Sequence, residues 1–116
     1  MTRVLIVDDD PLFRELARYH LTAGGFEVVG EAADAEEALA LARERTPDVV
    51  LLDLRLGADS GLRVLERLRD TLVVRIVLVS GDDADHVARL ALTAGADAFV
   101  PKHVLTGERL AAAVTG

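Results

Sequence analysis

Three consecutive aspartates, Asp8, Asp9 and Asp10, close the apolar run over residues 3–7, and a fourth, Asp53, closes the run over 49–52. Runs that are apolar throughout read as the buried strands of a parallel sheet. In open α/β sheets, ligands bind in the crevice beyond the carboxyl ends of the strands. Carboxylates ending two neighbouring strands would converge on one spot there. Like charges that close resist ionisation unless a cation sits among them. A hard cation with oxygen ligands, Mg²⁺, would remove that penalty. The pattern points to a metal held beside a reactive carboxylate.

Two further polar residues end later apolar runs. Ser80 follows Ile76-Val77-Leu78-Val79, and Lys102 follows Phe99-Val100-Pro101. The elements that must position these groups alternate between apolar runs and helical periods, as in repeated βα units. Strands are expected over 3–8, 27–32, 48–53, 74–80 and 97–101. A first helix opens at Asp10-Pro11, an N-cap followed by proline at the first helical position, and stops at Gly24-Gly25. A second opens at Asp34, with Glu37 three residues on as a capping-box variant, and ends before Pro47. A third follows Ser60-Gly61, with Leu62, Leu65 and Leu68 on one face. A fourth covers about 84–94, with Val87, Leu90, Ala91 and Ala94 at helical spacing. The last, short, covers roughly 105–114. Five strands and five helices imply a doubly wound sheet.

At 116 residues the chain holds one domain. With 51% hydrophobic residues but only 3% aromatics, its core must be Leu, Val, Ile and Ala. Thirteen basic and twenty acidic residues leave a formal charge of −7, which disfavours direct binding of nucleic acid. No stretch has the length of a membrane span and no signal-peptide pattern opens the chain, so the cytoplasm is the expected compartment. The absence of cysteine removes disulfide and thiol chemistry.

The whole length resembles the receiver domain of bacterial two-component response regulators. The matching residues are Val4-Leu5-Ile6-Val7-Asp8-Asp9-Asp10, Leu51-Leu52-Asp53-Leu54-Arg55-Leu56 with Gly61, Val79-Ser80-Gly81, and Phe99-Val100-Pro101-Lys102. The resemblance implies a flavodoxin-like fold over 1–116, a five-stranded parallel sheet in order 2-1-3-4-5 with helices on both faces. It implies Asp53 as phosphoacceptor, taking its phosphoryl group from a sensor histidine kinase, a phosphotransfer protein or a small phosphodonor. Asp8, Asp9, Asp53 and the backbone carbonyl of Arg55 would hold Mg²⁺. Lys102 and Ser80 would contact the phosphoryl oxygens, and Ser80 with Phe99 would form the switch, acting on the surface of the fourth helix, fifth strand and fifth helix. Phosphorylation-dependent homodimers also fit that pattern. The domain would catalyse its own phosphorylation and dephosphorylation without being a turnover enzyme. The chemistry accounts for each type. A phosphoryl group in transit spreads charge over three oxygens, which a metal, an ammonium and a hydroxyl donor stabilise. A carboxylate nucleophile gives an energetic, reversible acyl phosphate.

The chain departs from the family pattern at two positions. Gly57 stands where proline is common, four residues after the acceptor, and should loosen the adjoining loop. His103 stands where proline often follows the lysine. A cis bond there would cost about 2.5–4 kcal/mol, so a trans Lys102–His103 bond is expected. Asp10 has a plain reading as a helix cap, Phe99 as strand core, and His20, His86 and His103 as surface residues without metal-ligand spacing. Two other functional readings compete. One is a receiver-like interaction module that works without phosphorylation. The other is a Mg²⁺-dependent haloacid-dehalogenase-type phosphohydrolase, with Asp8 as nucleophile and Asp10 as acid. With no DNA-binding or catalytic segment following, output is expected through a partner, or from a longer chain of which this is the receiver.

Overall fold

The computed structural model describes residues 1–116 except 82, 83 and 105, and among the rest all side chains except those of 59, 84, 85, 87, 88 and 104. In chain order the elements are β1 (Arg3–Val7), α1 (Pro11–Ala23), β2 (Glu27–Ala32), α2 (Ala35–Arg45) and β3 (Val49–Asp53). Two short strands follow, β4 (Arg55–Leu56) and β5 (Asp59–Ser60), then α3 (Gly61–Thr71), β6 (Arg75–Ser80) and α4 (Ala84–Thr93). The chain finishes with β7 (Ala98–Pro101), a 3₁₀ turn (Lys102–Val104) and α5 (Gly107–Thr115). The main sheet runs β2-β1-β3-β6-β7, all pairs parallel. That is the expected order once the extra pair β4-β5 is set aside.

Helix starts follow their caps. Asp10 accepts from the Leu12 N–H at 2.9 Å ahead of Pro11. Asp34 accepts from the Glu37 N–H at 2.8 Å, while the Glu37 carboxylate reaches back to Ala33, one residue before the position a capping box uses. Ser60 accepts from Leu62 at 3.2 Å. At the C-cap of α2 it is Thr46, not a glycine, that adopts the left-handed conformation (φ 43°), immediately before Pro47. The last helix begins at Gly107 rather than 105, because the 3₁₀ turn and the Thr106 cap precede it.

Both faces of the sheet are covered, so its strands are apolar on both sides, and their period of two divides them between two cores. Leu5, Val7, Val50, Leu52, Ile76 and Leu78 pack with α2, α3 and Ala91 of α4. Val4, Ile6, Val49, Leu51, Val77, Val79 and Val100 pack with Phe13, Ala17 and Leu21 of α1 and with Leu110 and Val114 of α5. On α3, Leu65 and Leu68 are buried and Leu62 partly so, the expected stripe. On α4, Ala91 is buried but Leu90 is 42% exposed, so the apolar face there is narrower than its spacing predicts.

At the end of the sheet away from the strand C-termini, one arginine ties three segments together. The Arg69 guanidinium, in the last turn of α3, donates to the Val74 carbonyl before β6 and to the Gly95 carbonyl after α4. It also pairs with Asp97, whose carboxylate accepts the Ile76 N–H at 2.8 Å. Burial works to raise the Asp97 pKa, but the Ile76 N–H and Arg69 outweigh it and hold the carboxyl below its ordinary value of 3.8. Arg69→Ala is expected to cost about 2–3 kcal/mol in urea denaturation at neutral pH. Asp97 adds stability above its unfolded pKa and loses it as pH falls through the lower folded value. The cost of Arg69→Ala should therefore shrink below about pH 3.8.

Candidate functional site

The two-residue period of the strands decides which side chains meet at their carboxyl ends. Asp8 continues the Val4-Ile6 series, Asp53 the Val49-Leu51 series and Lys102 follows Val100, so all three belong to the face covered by α1 and α5. Ser80 and Phe99 continue the opposite series, that of Ile76-Leu78, toward α4. β1 and β3 are hydrogen-bonded neighbours, and β6 and β7 follow, so the four strand ends form one row.

At that row Asp8 is fully buried, Asp53 is 5% exposed and Asp9 is exposed. One carboxylate oxygen from each lies within 4.8 Å of the others. The Lys102 ammonium stands 2.8 Å from Asp8 Oδ2 and 3.3 Å from Asp53 Oδ2. It also lies 4.4 Å from the centroid of the Phe13 ring, a cation–π contact. Asp8 Oδ1 accepts the Asp10 N–H at 2.8 Å, and Asp53 Oδ1 the Arg55 N–H at 3.3 Å. The Asp8 main chain is fixed by its own N–H to the Ala32 carbonyl and by Arg14, whose guanidinium donates to the Asp8 carbonyl at 2.7 Å and pairs with Glu31.

Lys102 only partly neutralises this cluster: its single ammonium pairs with Asp8 Oδ2 and Asp53 Oδ2, leaving one positive charge among three carboxylates. Burial first, and the neighbouring Asp8 charge second, push the Asp53 pKa up to about 6, against the opposing pull of Lys102 and the Arg55 N–H. Burial would lower the Lys102 ammonium, but the two carboxylates outweigh it and raise it above 10.5. Three converging carboxylates with one ammonium to balance them are the donor set of a hard divalent cation. The residues present fit Mg²⁺.

Gly61 sets the position of the chain after Asp53. A Cβ on it would fall 2.2 Å from the Asp53 carbonyl oxygen and 2.8 Å from Leu54 Cα. The first turn of α3 therefore rests directly on the Asp53 backbone. Gly57 holds φ +61° in the two-residue turn joining β4 to β5, a conformation closed to proline. The loop expected to loosen is instead paired as a small antiparallel hairpin. Lys102–His103 is trans, with no cis peptide among the described residues.

The remaining sequence expectations divide. Asp10 is exposed and committed to capping α1, which removes the acid that the phosphohydrolase reading required. Ser80 is buried at the end of β6, one residue past the Asp53–Val79 pair. Phe99 is half-buried against the α4-side core. His86 and His103 are exposed, but His20 is half-buried, edge-on to Tyr19 and close against Gly107 of α5. Asp82, two residues beyond Ser80 in the sequence, lies outside the described residues. Phe13 and Arg14 escaped the sequence reading, because a phenylalanine and an arginine in a first helical turn carry no signal of the strand end they meet.

A family model described as the response regulator receiver domain matches residues 4–115. The chain belongs to that family. Over 102 residues the receiver is 38% identical to the virulence-factor transcription regulator BvgA of Bordetella pertussis, covering 87% of this chain and 49% of that protein. The chain thus spans about half the length of the curated relatives it matches. The signal receiver domain of NarL from Mycobacterium tuberculosis superposes with a TM-score of 0.90 at 38% identity, covering 98% of this receiver and 93% of that chain. A Burkholderia pseudomallei response regulator solved with a phosphorylated aspartic acid, a calcium ion and citrate gives 0.88 at 30% identity, over 98% and 66% of the two chains. No helix among the described residues is long and apolar enough to cross a membrane.

Two outcomes follow from this geometry. A carboxyl whose folded pKa is raised stabilises the fold below its unfolded value, here 3.8, and that contribution disappears as pH rises through about 6. In EDTA, wild type should therefore lose stability relative to Asp53→Asn between about pH 4 and pH 7, read from paired urea titrations. Gly61→Ala must displace α3 or the Asp53 backbone and is expected to cost about 2–3 kcal/mol by the same measurement.

Proposed function

We propose that this receiver accepts a phosphoryl group on Asp53 from a sensor histidine kinase or a phosphotransfer protein, in a Mg²⁺-dependent reaction that it catalyses itself. The observation that carries the reading is the Asp8, Asp9 and Asp53 cluster, closed to within 4.8 Å and only partly neutralised by Lys102. The phosphorylated aspartic acid in the Burkholderia relative supports it.

Asp8, Asp9, Asp53 and the Arg55 carbonyl would hold the metal, which supplies charge stabilisation for the phosphoryl oxygens. With a pKa near 6, Asp53 is mostly ionised at neutral pH and its carboxylate oxygen can attack phosphorus. Lys102, held protonated by the same carboxylates, turns its ammonium to the incoming phosphoryl oxygens. Ser80, buried at the end of the adjoining strand, donates its hydroxyl to one of them. Because Ser80 and Phe99 share the face toward α4, an inward pull on Ser80 frees space on that side, and Phe99 follows it. The shifted surface of α4, β7 and α5 then carries the signal to a partner, a second copy of the domain or a further part of a longer chain. The domain itself does not bind nucleic acid, and it works in the cytoplasm.

Acetyl phosphate with Mg²⁺ should add one phosphoryl group, hydroxylamine-labile and mapped to Asp53 by mass spectrometry. Asp53→Asn should take none, and Lys102→Ala should react about 10²-fold more slowly. Millimolar Mg²⁺ should raise the melting temperature of wild type and leave that of Asp9→Ala unchanged. Label on Asp8, or identical melting in Mg²⁺ and EDTA, would overturn the reading.

A further inference from the structure

Away from the acidic cluster, the neighbouring helices α2 and α3 leave a groove of about 550 Å³ between them. That is the size of a ligand cleft, for which ~300–1,000 Å³ is usual. Its lining includes half-buried Leu39, exposed Ala40 and buried Val64. Its walls carry Arg43 from α2 and Arg63 and Arg67 from α3, with Glu36 as the one carboxylate among the lining residues. Arg63 and Arg67 are one turn apart and so lie on the same side of their helix. From Glu36 to Arg43 the trough runs about 10 Å along the helix axis.

These three arginines differ from most others in the chain. The side chains of Arg3, Arg14, Arg18, Arg45, Arg69 and Arg75 all donate to carbonyl or carboxylate oxygens. Arg43, Arg63 and Arg67 are exposed, and among the described residues their guanidinium groups have no ion pair or hydrogen bond. A concentration of unpaired positive charge beside apolar surface is out of keeping with a chain whose formal charge is −7.

We propose that the α2–α3 groove docks an acidic, amphipathic segment of a partner protein. Apolar side chains of the segment settle over Leu39 and Ala40, and its carboxylates pair with Arg43, Arg63 and Arg67. Charge selects the place: the domain's net negative field repels such a segment elsewhere and leaves this groove as the complementary surface. The apolar lining of Leu39, Ala40 and Val64 favours a peptide over nucleic acid, whose backbone would leave those side chains uncovered. The proposal is independent of phosphorylation at Asp53.

Fluorescein-labelled synthetic peptides of constant apolar content and graded net charge test it by fluorescence polarisation, with wild type and with Asp53→Asn. Affinity should rise with negative charge and weaken with added salt. It should fall about tenfold or more in the Arg43→Glu/Arg67→Glu double variant, equivalent to about 1.4 kcal/mol, and persist in Arg89→Glu, an exposed arginine of α4 outside the groove. Thermal melts establish that the exposed substitutions leave the fold intact. No saturable binding, binding indifferent to peptide charge, equal loss in Arg89→Glu, or equally tight competition by single-stranded DNA would each overturn the proposal.

Discussion

Three carboxylates held at the ends of two adjacent strands are the constraint on which the rest of this structure turns. β1 and β3 are fixed as neighbours by the hydrogen bonds of a buried parallel ladder, so Asp8 and Asp53 cannot separate without breaking the sheet. Asp9 can turn to solvent; the other two cannot. Their repulsion is answered by one ammonium, which reaches the site from β7, the far edge strand, and is steadied by the Phe13 ring. One positive charge against three negative ones leaves a deficit, visible in the raised Asp53 pKa. A divalent cation would make up that deficit, so the fit of the cluster to a metal and the raised Asp53 pKa have one electrostatic origin.

The alternation of the strands sorts the chemistry as well as the cores. Acids and lysine fall on the face of α1 and α5, hydroxyl and aromatic on the face of α4. The two sets meet only at the strand ends. α3 has a separate route to Asp53, since its first turn lies against the Asp53 carbonyl at Gly61 with no room for a methyl group. The other end of α3 is tied down by Arg69. The helix is thus anchored at its base and placed against Asp53 at its tip.

Much of this was legible from residue types alone. Continuous apolar runs marked β1, β3 and β6 to within a residue or so, because burial on both faces leaves no polar alternation to blur them. Asp10-Pro11, Asp34 with Glu37, and Ser60 marked helix starts because each cap's hydrogen bond is local. Convergence of Asp8, Asp9, Asp53 and Lys102 was readable because all lie at carboxyl ends of strands. The β4-β5 pair was not, since it turns on two residues and on the left-handed Gly57, whose effect depends on what its neighbours pair with. His20 looked like a surface residue until α5 was placed against it. The Phe13 contact and the Arg14 bond to the Asp8 carbonyl depend on how α1 crosses the sheet, a three-dimensional relation with no sequence period.

The order of the strands in the chain differs from their order in the sheet, and this bears on how the protein is made. β2, β1 and β3, with all three carboxylates, lie in the first half of the sequence, whereas Lys102 follows Asp53 by 49 residues. During synthesis the first three strands are complete long before their neutralising lysine leaves the ribosome. Any pairing of β1 with β3 at that stage brings Asp8, Asp9 and Asp53 together before the ammonium that partly balances them exists. The nascent chain carries its repulsion before its own remedy, and the apolar ladder of the two strands has to outweigh that charge in the meantime.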